Sequence, residues 1–310
     1  IGAPLMGATW VRDIRTWVSP DLSDDGISLL ADTLMELTPN DARIGLPDGH
    51  ETHMRMPLRD YARLQIQVET RQLVGDADII RRLRMIKSDA EIAKIEQAVG
   101  IANRAFARVP EIARAGIALD QVFRDFQRLC LEEVADWVPY LSGAADQGGY
   151  GDIIALATDA PLRSGDVLML DTGLIWDGYF CDFDRNWSVG KPAHNVADAY
   201  AKLLDASDAA FNLAKPGVQA FEMFEAMDSI VSHGGQTGAG RLGHGLGLSL
   251  TEWPSFIPSD QTVLQTGMVL TLEPGISVDG KILVHEENIV ITETGARYLS
   301  DPAPREMVEI

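Results

Sequence analysis

After Ser88 the apolar positions fall into a helical period. Ile92, Ile95, Val99, Ala102 and Phe106 share one face. The preceding Ser88-Asp89-Ala90-Glu91 reads as a capping box, with Ser88 accepting from the first turn and Glu91 reaching back. A second helix is expected from about Asp120 to Val134, and two more over 196–214 and 218–232. The segments near 165–190 and 263–300 read as strands. Residues 1 to 80 mix short apolar runs with polar turns, as in Thr16-Trp17-Val18 and Ala42-Arg43-Ile44-Gly45-Leu46, which points to an α/β arrangement. No repeat, low-complexity stretch or flexible linker interrupts the pattern.

One strand pair carries chemistry. The run Val167 to Ile175 is apolar, Asp177-Gly178 follows, and a second run extends from Phe180 to Trp187. Asp-Gly between two such runs predicts a hairpin. A two-residue loop sets Trp176 opposite Tyr179 and residue 173 opposite 182. Side chains alternate with period two, so Asp171 and Asp182 then point to one face, a diagonal step apart. A shift of one residue would set them directly opposite. Either register also places Asp184 on that face. Three converging carboxylates repel one another unless cations neutralise them.

Composition narrows the possibilities. A chain of 310 residues is comfortable for two domains. No stretch approaches the roughly 18 consecutive apolar residues of a membrane helix. The net charge of −20 argues against a nucleic-acid partner and favours attraction of cations. Cys130 and Cys181 lack CxxC spacing and read as free thiols in a reducing, cytoplasmic compartment. Cys181, next to Asp182, should point away from the carboxylate face.

Further candidates lie downstream. His244 sits between glycines, which allow backbone to approach closely. Glu273 ends the apolar run Met268 to Leu272, and Glu286 falls within Ile282 to Ile291; both are expected in or at the end of strands. A buried unpaired carboxylate is costly, so such positions call for a partner. Taken in order, the residues spell D-x-G, G-Y-x-x-D-x-x-R, G-H-G-x-G-L, E-P-G and E-[DE]-x-x-x-[IV]-T across residues 171–292. Arg84-Met85-Ile86-Lys87-Ser88 precedes them, leading into the first long helix.

This pattern resembles the creatinase/prolidase/aminopeptidase P superfamily, family M24. The resemblance implies an α+β pita-bread catalytic domain, a curved antiparallel sheet flanked by helices, over residues 83–310. A small creatinase-like α/β domain would occupy 1–82. That domain is usually longer, and the chain starts at Ile1, so a segment is expected to be missing before it. The resemblance also implies a homodimer and two divalent metal ions, with Mn, Fe or Co favoured and Zn possible. Asp171 would bind one ion, His244 and Glu273 the other, and Asp182 and Glu286 would bridge. The implied reaction is hydrolysis of an amide C–N bond by a metal-bridging hydroxide, on a short peptide or small molecule. Glu273 would shuttle the proton.

Several neighbouring positions depart from the peptidase pattern. Ile154, Gly240 and Thr251 stand where that pattern has histidines, Val284 where it has an arginine, and Asp184 where it has a threonine. Losing transition-state donors costs about 10²–10³ each in rate. Asp184, Thr251 and Glu252 are therefore expected to serve in their place, on a substrate other than an ordinary Xaa-Pro peptide. A reaction like that of creatinase or of the superfamily's dimethylsulfoniopropionate lyase is the alternative. His285, adjacent to Glu286 but on the opposite strand face, is expected to be a packed or surface residue.

Overall fold

The computed structural model describes residues 6–68, 70–232 and 240–310. The chain divides into two compact units, residues 1–81 and 82–310. The first contains α1 (Ile27–Leu37), β1 (Arg43–Leu46), α2 (Leu58–Gln67) and β2 (Gln72–Gly75). β1 and β2 pair in parallel, with α2 in the connection between them. Ile27, Ala31, Leu64 and Val68 form its small core. α3 (Ile79–Met85) crosses the division.

The second unit opens with α4 (Asp89–Ala107). Its capping box forms as the sequence predicts: Glu91 N–H donates to Ser88 Oγ at 3.4 Å, and Ser88 N–H donates to Glu91 Oε2 at 2.8 Å. α5 (Val109–Ile112) and α6 (Leu119–Glu132) follow, then β3 (Trp137–Gln147), β4 (Asp166–Trp176), β5 (Tyr179–Phe180) and β6 (Phe183–Ser188). Helices α7 (His194–Leu213) and α8 (Ala220–Val231) come next. The rest is short strands: β7 (His244–Gly245), β8 (Glu252–Ser255), β9 (Val269–Leu272), β10 (Gly275–Val278), β11 (Lys281–Val284), β12 (Glu287–Ile291), β13 (Ala296–Tyr298) and β14 (Val308–Glu309). One five-stranded sheet runs β14-β6-β4-β3, with β5 on β4; the other runs β13-β12-β9-β7-β8.

The period of two in β4 divides the core. Val167 and Met169 pack with residues of α7 and α8. Leu168, Leu170 and Leu174 pack with residues of α4 and α6. Each such aliphatic side chain contributes about 1.5–3 kcal/mol on burial, so a one-residue slip of β4 would be prohibitive. Asp171 shares the parity of Val167 and Met169. Cys181 joins the core on the α4 and α6 side, away from the carboxylates. Both cysteines are free and buried.

The hairpin turn places Trp176 opposite Tyr179. Asp177 and Gly178 have φ of 45° and 83°, the positive pair a type I′ turn requires. The same register continues to Asp171 opposite Asp184. Asp171 and Asp182 are thus a diagonal step apart, and the directly opposed register is not adopted.

The expectation that Glu286 lies within a strand is corrected. It falls in a gap between β11 and β12, Asp182 falls between β5 and β6, and Glu273 lies just past β9. At such gaps the ladder no longer dictates which way a side chain points. Other groups supply the missing hydrogen bonds: Asp182 N–H donates to Asn288 Oδ1 at 3.1 Å, and Glu286 N–H donates to Asp184 Oδ1 at 3.0 Å. No helix among the described residues is long and apolar enough to cross a membrane.

Candidate metal centre

A cavity of about 180 Å³ opens onto Asp171, Asp182, Asp184, His244, Glu273 and Glu286. All five expected ligands and Asp184 therefore converge. β4 delivers Asp171 and β6 delivers Asp184, while β7 delivers His244. Asp182, Glu273 and Glu286 enter from the breaks in the ladder. Ligand atoms of Asp182, His244 and Glu286 all lie within 4.8 Å of one another.

The glycines around His244 have a steric reason. Gly243 has φ +142°, and a Cβ there would meet Thr271 O at 2.4 Å; a Cβ on Gly245 would meet Trp253 O at 2.5 Å. Only glycine lets β7 pass so close to its neighbours. His244 N–H donates to Thr271 Oγ1 at 3.0 Å, and its Nδ1 lies 2.8 Å from Gly245 O. A carbonyl oxygen only accepts, so the ring proton belongs on Nδ1. That leaves Nε2, 3.4 Å from Asp182 Oδ2, as a lone-pair donor. Two acceptors facing each other in this way are reconciled by a proton or a cation between them.

Four buried carboxylate oxygens on this cavity have no hydrogen-bond partner: Asp171 Oδ1, Asp184 Oδ2, Glu273 Oε2 and Glu286 Oε1. Asp171 and Glu273 are partly exposed as residues, but these oxygens are not. Burial, reinforced by the neighbouring carboxylates, pushes Asp171 and Glu286 well above the usual carboxylate range. Burial also raises Asp182, with Arg241 opposing. Glu273 is pushed up to about 7 by burial, while His244 pulls it the other way. A set of orphaned oxygens with one imidazole nitrogen fits divalent metal ions.

Two residues of the site were missed in the sequence. Tyr140 O–H donates to Asp171 Oδ2 at 2.8 Å, which orients that carboxylate. Arg241 lines the cavity and its Nη2 donates to Thr251 Oγ1 at 3.3 Å. Its position three residues before His244 was the available signal. Tyr140 gave none, because its place in β3 opposite Gly173 is set by tertiary pairing.

Thr251 lines the cavity, as expected. Glu252 does not, and its assignment as a catalytic residue is corrected. Thr251 lies just before β8, and Glu252, the first residue of that strand, turns into the protein. There it binds Arg84, Lys87 Nζ at 3.0 Å and Ser249 N–H at 3.1 Å. Lys87 and Glu252 are both buried, so the pair is a structural tie. His285 is packed: Nε2 lies 3.3 Å from Glu287 Oε1 and Nδ1 lies 3.7 Å from Asp184 Oδ1.

A profile of metallopeptidase family M24 matches residues 93–293. The chain belongs to metallopeptidase family M24. Among curated M24 relatives, the probable dipeptidase PepE of Mycobacterium tuberculosis is 33% identical over 243 residues, covering 75% of this chain and 63% of the relative. The Xaa-Pro dipeptidase of Pyrococcus furiosus is 35% identical over 240 residues, covering 72% and 65%. The chain thus spans less than two thirds of their length. The X-Pro aminopeptidase structure from Thermotoga maritima matches with a TM-score of 0.82 at 28% identity, over 92% of this chain and 79% of that one. The M24 catalytic unit has the α+β pita-bread fold.

Proposed function

We propose that this chain is a metal-dependent hydrolase that cleaves an amide C–N bond, with two divalent ions held by Asp171, Asp182, His244, Glu273 and Glu286. The observation that carries this is the ring of unpartnered carboxylate oxygens around one cavity, beside His244 Nε2. Burying such oxygens without cations is costly. One nitrogen among oxygen donors suits Mn, Fe or Co, with Zn next. Ions bound there would lower the pKa of water and polarise a carbonyl. The relatives' names, dipeptidase and Xaa-Pro dipeptidase, support an amide substrate.

The chain's own residues then have distinct tasks. Glu273 takes the proton of the attacking water and delivers it to the departing amine nitrogen. Tyr140 O–H holds Asp171 Oδ2, leaving Oδ1 for a cation. Arg241 and Thr251 offer hydrogen bonds to substrate, and Ile153, Met169 and Leu250 form an apolar wall. The volume of about 180 Å³ is below the roughly 300–1,000 Å³ of ordinary ligand pockets, which favours a small substrate. A homodimeric, cytoplasmic enzyme belongs to the same proposal. A creatinase-like or lyase-like reaction on a small molecule is the alternative, favoured by Asp184, Thr251 and Val284 on the cavity wall.

Metal analysis of protein purified without chelator should find about two transition-metal ions per chain. The loaded protein should then cleave a member of a panel of Xaa-Pro dipeptides. Turnover of creatine-like compounds or dimethylsulfoniopropionate alone would select the alternative. No metal, and none taken up on addition, would overturn the metal-dependent reading.

A further inference from the structure

Asp184 is treated differently at its two oxygens. The residue is 1% exposed and sits in register opposite Asp171, on the cavity face of β4 and β6. Oδ1 accepts the Glu286 N–H at 3.0 Å, with His285 Nδ1 further off at 3.7 Å. Arg185, the next residue, donates to the Asp184 main-chain carbonyl and not to its carboxylate. Oδ2 has no partner. Of the four orphaned oxygens on the cavity, three belong to expected ligands and the fourth is this one. Its burial penalty is of the same kind as theirs, and the same cations would remove it.

We propose that Asp184 is itself a metal ligand through Oδ2, so that five carboxylates and one imidazole close the centre. This rests on reading the cavity as a metal centre. The M24 resemblance puts a threonine at this position, so the ligand would be an addition to the family pattern. Five carboxylates against two dications leave one negative charge in excess. Arg241 lines the same cavity and offsets it. An additional anionic ligand holds the ions more tightly.

Asp184→Asn isolates the point. The amide oxygen can still accept the Glu286 N–H, so the hydrogen bond of Oδ1 is retained while the charge and ligand oxygen are lost. Chelator competition with Mn²⁺ on the intact chain should show one of two ions bound at least about 100-fold more weakly than in wild type, the range in which even outer-shell partners of a metal act. The low-temperature electron paramagnetic resonance spectrum should change from that of a coupled manganese pair toward that of a single ion. Asp184→Thr, the residue of the family pattern, should do the same and serves if the Asn variant does not fold. Two ions held with wild-type affinity and an unchanged spectrum would overturn the proposal and leave the metal centre standing. A wild-type chain that takes up no Mn²⁺ would overturn the metal centre itself.

Discussion

Glu252 and Glu287 are buried to the same degree as Asp182 and Glu286, between 1% and 4% exposed, in the same unit of the chain. Their surroundings differ. Glu252 has Lys87, Arg84 and Ser249. Glu287 has Arg185 Nη2 at 2.9 Å, His285 and the Ala303 N–H at 2.8 Å. Burial alone would raise both, but their cations outweigh it: Glu252 is lowered, and Glu287 is lowered to about 2. Around the cavity burial wins, and Asp171, Asp182 and Glu286 rise instead. One set of carboxylates is completed by the protein's own cations; the other carries the orphaned oxygens on which the proposed metal centre rests.

The largest expected effect tests the completed set. Glu252→Ala leaves Lys87 buried without its anion and should destabilise the chain by about 3–5 kcal/mol in denaturant unfolding. A loss within the roughly 0–1 kcal/mol of a surface pair would remove the contrast.

Next comes pH, measured on metal-free protein. The folded pKa of Glu273, about 7, exceeds its ordinary 4.5. The folded state therefore holds that proton more tightly. The stabilisation is fully present below 4.5 and is lost as pH rises through about 7, an effect on the order of 3 kcal/mol. Glu287 has the opposite sign: its stabilisation is present above 4.5 and is lost as pH falls toward about 2. Thermal unfolding should show the two windows separately. A flat profile between 4.5 and 7 would contradict the first.

Divalent metal should remove that dependence. At hundredfold excess over Kd, each ion adds about 2.7 kcal/mol, and a chelator takes it away. Unfolding indifferent to Mn²⁺ would break the comparison. The smallest effect is Glu286→Gln, which should stabilise the metal-free chain by ~1–2 kcal/mol by removing the cost of holding that buried carboxyl protonated against its unfolded state, while weakening metal uptake. Destabilisation with unchanged metal uptake would mean that Glu286 is a structural group like Glu287.

Much of this was legible along the chain. Asp177-Gly178 between two such runs marked the hairpin, because turn type is a local property, while the register stayed open until the strands paired. The same parity placed Asp171 and Asp184 on one face. Ser88 and Glu91 marked the start of α4 for an equally local reason. Thr251 and Glu252 were not separable, since they sit at the entry to a short strand and only packing selects which of them meets the cavity. Tyr140 reaches the site through a pairing distant in sequence, whereas Arg241 lies three residues from His244.

The sequence by itself determined the candidate ligand types, their order and the family. It did so because the motifs are short and each depends on nearby residues. The tertiary structure decided which buried carboxylates receive partners. Lys87 lies far from Glu252 in the chain, and Arg185 lies far from Glu287, yet both ion pairs form. The orphaned oxygens of Asp171, Glu273 and Glu286 accept no hydrogen bond from the described residues, although Arg241 lines their cavity. Whether a buried charge is satisfied depends on what packs within a few ångströms of it, which chain order alone does not specify.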